Sequence, residues 1–354
     1  TVLATELSGS GSDFDVVTIK DVPGYATLVQ KNTLESLDDY ITDAGINLAD
    51  FNGITDQVTV DGSLYELPFR SDYWLIYYNK DVFDAAGIAY PSNDMTMEDY
   101  DALARQLTDT TYGSQVYGCH YHTWRSAVEL FGILDGKHSI LDGNYDWMIP
   151  YYDMILSEED DGVCQTYTDL STEGLHYSAA FSNGNVAMMN MGSWFISTLI
   201  SNLDSGEYDS SLCGNWGIAS YPHPDGAEAG STIATITGLA VTSASENKDA
   251  AFDFVNWVSG TEGAKVMAST GNFPAIMTDD VINTIAGMAG FPTDEGSKEA
   301  LNITNAYLEV PYAENVSEIN SILDTYHTSI MNREVTVEEG VASMNEQVGK
   351  ILNQ

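Results

Sequence analysis

Short runs of β-branched and aromatic residues alternate with amphipathic stretches along the whole chain, and this alternation limits the fold more than any other feature. Asp13 to Ile19 reads as a strand after a Gly/Ser turn at Ser8 to Ser12. Leu75 to Tyr78, closed by Asn79, reads as a second, and Val186 to Asn190 and Ile236 to Thr242 as two more. Met97, Tyr100, Leu103 and Leu107 recur at three-to-four spacing and predict a helix over 97–107. Glu173 to Asn183 predicts another, ended by Gly184. Asn247 to Val258 predicts a third, with Ala251, Phe254, Val255 and Val258 on one side. A long helix follows over 316–331, and a last one starts at Thr336, with Glu338 and Glu339 where the helix dipole favours acids. Strands and helices in alternation imply α/β layers with a largely parallel sheet in each domain. A length of 354 residues suggests two domains. Pro68, Pro222, Pro224, Pro274 and Pro311 mark loops or crossovers.

The charge balance excludes whole classes of function. Twelve Lys and Arg stand against 53 Asp and Glu, a formal net charge of −41. Such a field repels phosphates and anionic lipid headgroups, so a nucleic-acid or membrane-surface role is excluded. No apolar run is long enough to span a bilayer; the longest, Val186 to Ile200, is broken by Asn190, Gly192 and Ser193. The chain opens at Thr1 with neither a basic nor an apolar leader, so any targeting segment is expected to be removed or to lie outside it. Cys119, Cys164 and Cys213 are spaced 45 and 49 residues apart, which fits no zinc or iron–sulfur pattern. They read as small core hydrophobes, with at most one internal disulfide.

Catalytic motifs are missing where they would be needed. The run Ser8-Gly-Ser-Gly-Ser12 precedes a strand rather than opening a helix, lacks the P-loop lysine, and has Phe14 where a third dinucleotide-loop glycine belongs. Gly192-Ser193-Trp194 has no glycine two residues past the serine, as a nucleophile elbow requires. His120 and His122 share a strand face but lack a third nearby ligand, and read as hydrogen-bonded or exposed histidines. Glu158 to Asp161 offers oxygens to Ca²⁺ but does not follow the EF-hand order, and reads as a solvated acidic turn. With so many acids, some carboxylate pair is always available for glycoside hydrolysis, so abundance carries no signal. No catalytic residue, metal or cofactor is expected.

The aromatics say more. There are 21 Tyr, 11 Phe and 6 Trp, and several sit beside turn residues rather than in periodic stripes. Tyr73, Trp74, Trp124, Trp194 and Phe273 are of this kind. A ring at a strand end can serve the core or offer its face to a ligand. Sugars present C–H faces to such rings, and carboxylates and amides bind their hydroxyls.

Taken in order, five stretches resemble the extracellular solute-binding proteins of ABC sugar importers (family 1, maltose-binding-protein-like). They are Asp13 to Val17; Asp61 to Phe83, which contains Tyr78-Asn-Lys-Asp81 and precedes Ala85-Ala-Gly87; Ala180 to Trp194; Gly238 to Lys248 with Ala251, Phe254 and Gly271 to Ala275; and Val310-Pro311 with the closing helices. The likeness covers nearly the whole chain. It departs at the start, where only the tail of the family's first strand–helix unit, around Leu3 to Leu7, is expected.

The resemblance implies a two-lobed α/β periplasmic-binding-protein-like fold of class II with a multi-segment hinge. Lobe one would hold residues 1–72 and 243–309, and lobe two residues 73–242 and 310–354. The ligand would lie between them. Asp72, at the first crossover, would accept hydrogen bonds from sugar hydroxyls. Tyr73 and Trp74 would line the wall, one of them turned into lobe packing by alternation. Trp194 would be the stacking platform, with Gly192 and Ser193 beside it. Trp124 would form cleft surface on lobe two, Thr237 and Gly238 would mark the second crossover, and Asn272 and Phe273 would sit on a lobe-one loop facing the ligand. Arg70 and Arg125, two of only four arginines, would read a sugar acid or anchor carboxylates such as Asp72, the second being favoured. The implied function is an extracellular or periplasmic, surface-anchored receptor that hands a neutral oligosaccharide to an ABC permease without catalysis. It would be a monomer touching the membrane only through an upstream lipid anchor. The alternatives are a polyamine, sugar acid or peptide on the same fold, or a glycoside hydrolase.

Overall fold

The computed structural model describes residues 2–10, 13–109 and 115–353. Its strands are β1 (Val16–Ile19), β2 (Leu67–Asn79), β3 (Tyr117–His120), β4 (Val186–Gly192), β5 (Trp216–Ser220), β6 (Thr232–Val241) and β7 (Ala306–Leu308). They join in the order β1-β6-β2-β4-β3, with β5 also on β2 and β7 also on β6.

β2 makes the two lobes. Its first half, Leu67 to Tyr73, pairs with β6, while Trp74 to Asn79 lies between β4 and β5. One strand of 13 residues thus belongs to two sheets. β6 returns beside it, between β1 and the first half of β2. β7 adds a third segment at the same boundary, alongside Thr232 to Ala234.

The pairing corrects the expectation of largely parallel sheets. β1–β6, β2–β6, β2–β4 and β2–β5 are antiparallel; β3–β4 and β6–β7 are parallel. β2 leaves lobe one where β6 re-enters it, and strands that cross one boundary in opposite senses pair antiparallel. The parallel pair β3–β4 has room for its crossover, because helices such as Ser126–Ile133 and Ile149–Asp160 lie between.

Local signals explain the helices. Met97–Leu107 begins where Thr96 and Asp99 form a capping box, and Val337–Leu352 begins on a box of the same kind, made by Thr336 and Glu339. The helix expected over 173–183 is two, Tyr167–Glu173 and Tyr177–Ser182, because Gly174 takes a left-handed φ of 62° and ends the first. Lys248–Ser259 buries Ala251, Phe252 and Val255 and leaves Phe254 53% exposed. Phe252 stacks on Tyr40 with ring centroids 4.9 Å apart, which turns the helix away from the expected face. The helix Val2–Ser10 runs through Ser8 to Ser10, where a turn was expected; Gly11 and Ser12 lie outside the described residues. Among the described residues, no helix is long and apolar enough to cross a membrane.

Candidate ligand-binding site

The hinge and the aromatic platform are built from the same few residues. Trp74 of β2 stands opposite Gly192, the last residue of β4. Immediately beyond, the Ser193 N–H donates to the Tyr73 carbonyl at 2.8 Å, and the Tyr73 N–H donates to the Ser193 hydroxyl at 3.2 Å. That hydroxyl in turn donates to Asp72 Oδ1 at 3.0 Å. Trp194 then opens the helix Trp194–Ser205. Its indole folds back over Gly192, where a Cβ would meet ring atoms at 2.0–2.4 Å. Only glycine allows this close approach.

Three indoles meet there. Trp74 is 3% exposed and lies edge-on to Trp194, with centroids 5.5 Å apart, and to Trp124, 6.3 Å apart. Trp124 and Trp194 are 6.2 Å apart. Trp124 is 39% exposed and Trp194 partly so. His122 at 4.6 Å and Tyr177 at 5.7 Å hold the Trp124 ring from behind. Edge-to-face contacts of this kind fix ring orientation as well as burying area. Burial pushes His122 down to about 4, so it is a neutral partner.

Alternation along β2 places Tyr73 in the packing. It is buried, edge-on to Phe273 at 6.0 Å. Phe273 itself is fully buried, so its ring supports the site from below rather than facing a ligand, as had been expected. Its carbonyl accepts from the Ser71 N–H, which ties the Gly271 to Ala275 loop to the hinge strand. Gly238 also departs from expectation. A Cβ there would strike the buried Glu66 carboxyl at 2.2 Å, so the glycine makes room for Glu66 and lines neither hollow described below.

Charged groups flank the platform on both sides. Asp72 is buried, which raises its pKa, while the Arg70 guanidinium, 2.6 Å away, and the Ser193 hydroxyl pull it back. Arg125 is only 5% exposed and anchors a denser network. It donates to Glu129 at 2.6 Å, to the Asn320 carbonyl at 3.1 Å, to Asn320 Oδ1 at 2.6 Å, and to Asp324. Ser126 donates to Glu309, whose burial and proximity to Glu129 push its pKa up to about 7.

Two hollows open along one face of β6, since Thr235 lines one and Thr237 the other. The larger, about 490 Å³, is bounded by Lys20, Asp21, Trp124, Arg125, Glu129, Glu309 and Asp324 among others. The smaller, about 310 Å³, is bounded by Phe69, Arg70, Thr237, Trp257 and Asn272 among others. The expected residues therefore divide. Trp124 and Arg125 line the first hollow, and Arg70, Thr237 and Asn272 the second. Asp72, Tyr73, Trp74, Gly192, Ser193 and Trp194 form the hinge, and line neither hollow.

Lys20, Asp21, Glu129, Thr235, Glu309, Asn320, Asp324 and Trp257 were not anticipated. Asp21 lies two residues past the end of β1 and caps the helix Val22–Gln30, and strand ends are where ligands meet α/β sheets. Glu129 stands four residues after Arg125, the spacing of a helical ion pair. Glu309 and Asp324 carry no local signal.

The other candidates resolve as structure. The acidic turn is solvated in its second half only: Asp160 and Asp161 are exposed and pair with Arg333 and Arg105, while Glu158 and Glu159 are buried and Glu159 pairs with Arg333. His120 is buried 6.5 Å from His122, centroid to centroid. Among the described residues, Cys119, Glu158 and Cys164 are the one group spaced to share a metal ion, and they line neither hollow.

The sequence profile of the family described as "Bacterial extracellular solute-binding protein" matches residues 1–265. The chain belongs to this family. It is 47% identical to a sugar transporter of Rhizobium etli, solved in an open conformation, with a TM-score of 0.91 over 98% of this chain and 88% of that one. An ABC substrate-binding protein of Listeria monocytogenes, in complex with cycloalternan, shares the fold at 22% identity and a TM-score of 0.80, over 99% of this chain and 88% of that one. The mannitol-binding protein of Pseudomonas aeruginosa is 24% identical over 274 residues, 75% of this chain; the match spans 61% of that protein's length. As a solute-binding protein of this family, the chain is a binding module and not an enzyme.

Proposed function

We propose that this solute-binding protein is the extracellular receptor for a neutral oligosaccharide, which it delivers unchanged to the membrane subunits of an ABC importer. The observation that carries this reading is the three-indole platform at the hinge, flanked by hollows on one face of β6. Indole faces stack on sugar C–H faces, and groups such as Asp21, Asn272 and Asp324 accept or donate to hydroxyls. The net charge of −41 disfavours anionic solutes. Arg70 and Arg125 act as anchors for Asp72 and Glu129. The ligand set includes Trp124 and Trp194 as stacking faces, Trp74 as their support, and Arg70, Asp72, Thr237 and Asn272 as polar neighbours, with Asp21 and Asp324 in the larger hollow.

The lobes are residues 1–72 with 243–309 and residues 73–242 with 310–354, with β6 of the second span completing the sheet of the first between β1 and the first half of β2; they close as a hinge about β2, β6 and the segment after β7. The helix Glu295–Glu299 lies at their margin, since Ser297 accepts from Ile218 of β5 and Asp294 pairs with Lys80 at 2.5 Å. The protein works as a monomer at the cell surface, held by a lipid anchor upstream of Thr1.

A second reading has its own support. Asp21, Glu129, Glu309 and Asp324 outnumber Lys20 and Arg125 around the larger hollow, as a cationic solute such as a polyamine would require. A thermal-shift panel of oligosaccharides, monosaccharides, sugar acids and polyamines separates the two, because a ligand of the folded state raises its midpoint by mass action. A shift with one oligosaccharide series, with the sugar recovered intact, supports the first reading. A shift with polyamines alone refutes it and favours the second.

A further inference from the structure

The three cysteines do not share one environment. The Cys213 thiol rests on the Asp209 carbonyl, at the end of the short helix Ser210–Cys213. Cys119 lies in β3, and its N–H donates to the Val163 carbonyl at 3.4 Å, so the segment carrying Cys164 runs directly beside that strand. The two sulfurs lie within 4.8 Å of each other and of a Glu158 carboxyl oxygen, and all three residues are buried.

We propose that Cys119 and Cys164 are joined by a disulfide in the exported protein, pinning β3 to the turn after the helix Ile149–Asp160. A disulfide needs Cα atoms about 4.4–6.8 Å apart, a separation that neighbouring, hydrogen-bonded backbone segments supply. The family is extracellular, and disulfides persist in oxidising compartments. Charge decides against a metal ion on the same residues. Two thiolates and a carboxylate around a divalent ion would still leave one net negative charge in a dry core. The Arg105 guanidinium is already committed to Asp101 and Asp161, and burial pushes the Cys119 thiol up. A disulfide is neutral and needs no counter-charge.

The buried thiols make oxidation an event of folding, before β3 is covered. The thiolate of one cysteine attacks a disulfide oxidant, forming a mixed disulfide and releasing one thiol. The second cysteine then displaces the oxidant's other sulfur. Two electrons and two protons leave with the oxidant, which ends as two thiols. The bond fixes the root of the segment that continues from β3 through Tyr121 and His122 to Trp124.

Thiol counting under denaturing conditions tests this on the full chain refolded with oxidised glutathione. The expected counts are one free thiol in the wild type and three after reduction, none in Cys213→Ser, and two in Cys119→Ser or Cys164→Ser. Non-reducing peptide mapping should join Cys119 to Cys164. Three thiols in the oxidatively refolded wild type would overturn the proposal, as would a bridge that includes Cys213. Three thiols with one co-purifying divalent metal, absent from Cys119→Ser, would also overturn it and assign the cluster to a cation.

Discussion

Replacing Arg125 with methionine tests whether this residue anchors the cleft wall or reads the ligand. Arg125 is the partner of Glu129 Oε2 at 2.6 Å, while Glu129 Oε1 has no hydrogen-bond partner, and the Glu129 side chain is fully buried. The substitution keeps most of the side-chain volume but leaves a buried carboxyl with no counter-charge. Breaking one partner of a buried pair costs about 3–5 kcal/mol. The Asp324 side chain is 56% exposed and returns to water, adding less than about 1 kcal/mol. Glu129 already has a pKa raised by burial and restrained by Arg125, and losing the arginine raises it further. A carboxyl whose folded pKa lies above its unfolded value loses stability as pH rises between the two, at up to about 1.4 kcal/mol per pH unit. The deficit of Arg125→Met should therefore be smaller at pH 5 than at pH 8. Arg125→Met/Glu129→Leu should recover most of the loss, since an apolar pair of similar volume is close to neutral. Urea denaturation followed by tryptophan fluorescence gives all four corners of the cycle. A single mutant within about 1 kcal/mol of wild type, or a double mutant no better than the single, would refute the anchoring argument.

Three further outcomes follow from the same geometry. Trp194→Ala should weaken binding of the ligand found in the thermal-shift panel by about 1–3 kcal/mol, measured calorimetrically. Gly192→Ala would put a methyl group at 2.0–2.4 Å from the Trp194 ring; it should destabilise by about 1–3 kcal/mol and weaken binding through displacement of the indole, seen as an altered tryptophan emission. Glu66 is buried, and burial pushes its pKa up to about 8 from 4.5. The folded protein thus holds a proton that the unfolded chain has released, and stability falls as pH rises through that window. Thermal midpoints of Glu66→Gln should fall less between pH 5 and pH 8 than those of the wild type.

Elements whose signals are local were legible in the sequence. The helices over 97–107 and 316–331 match their predicted bounds, the first because the apolar spacing of Met97, Tyr100, Leu103 and Leu107 marks it. β2 was read from Leu75 to Tyr78 on its residues, and from Asp72 only by resemblance, because its first half carries Pro68, Arg70 and Asp72, the mixed residues of a strand that meets a cleft. Sheet direction was misread, since it depends on which segments return across the hinge and not on any local pattern. At the site, aromatics beside turn residues pointed to Trp74, Trp124 and Trp194. Asp21, Glu309 and Asp324 stayed hidden among 53 acids, because only the folded chain brings its two ends to one hollow.

The Ser193 clamp has an entropic consequence. Its bonds to Asp72 and Tyr73 hold the start of the Trp194 helix to the hinge strand, and an edge-on contact with Trp74 and a tilted one with Trp124 hold the indole itself. The platform is thus preorganised, and docking a ligand on it requires no freezing of that side chain. Immobilising a free one would cost about 0.5–1.5 kcal/mol. What remains to be ordered on binding is the closure of one lobe toward the other, so affinity in this protein should respond more to changes in hinge freedom than to changes in the mobility of Trp194.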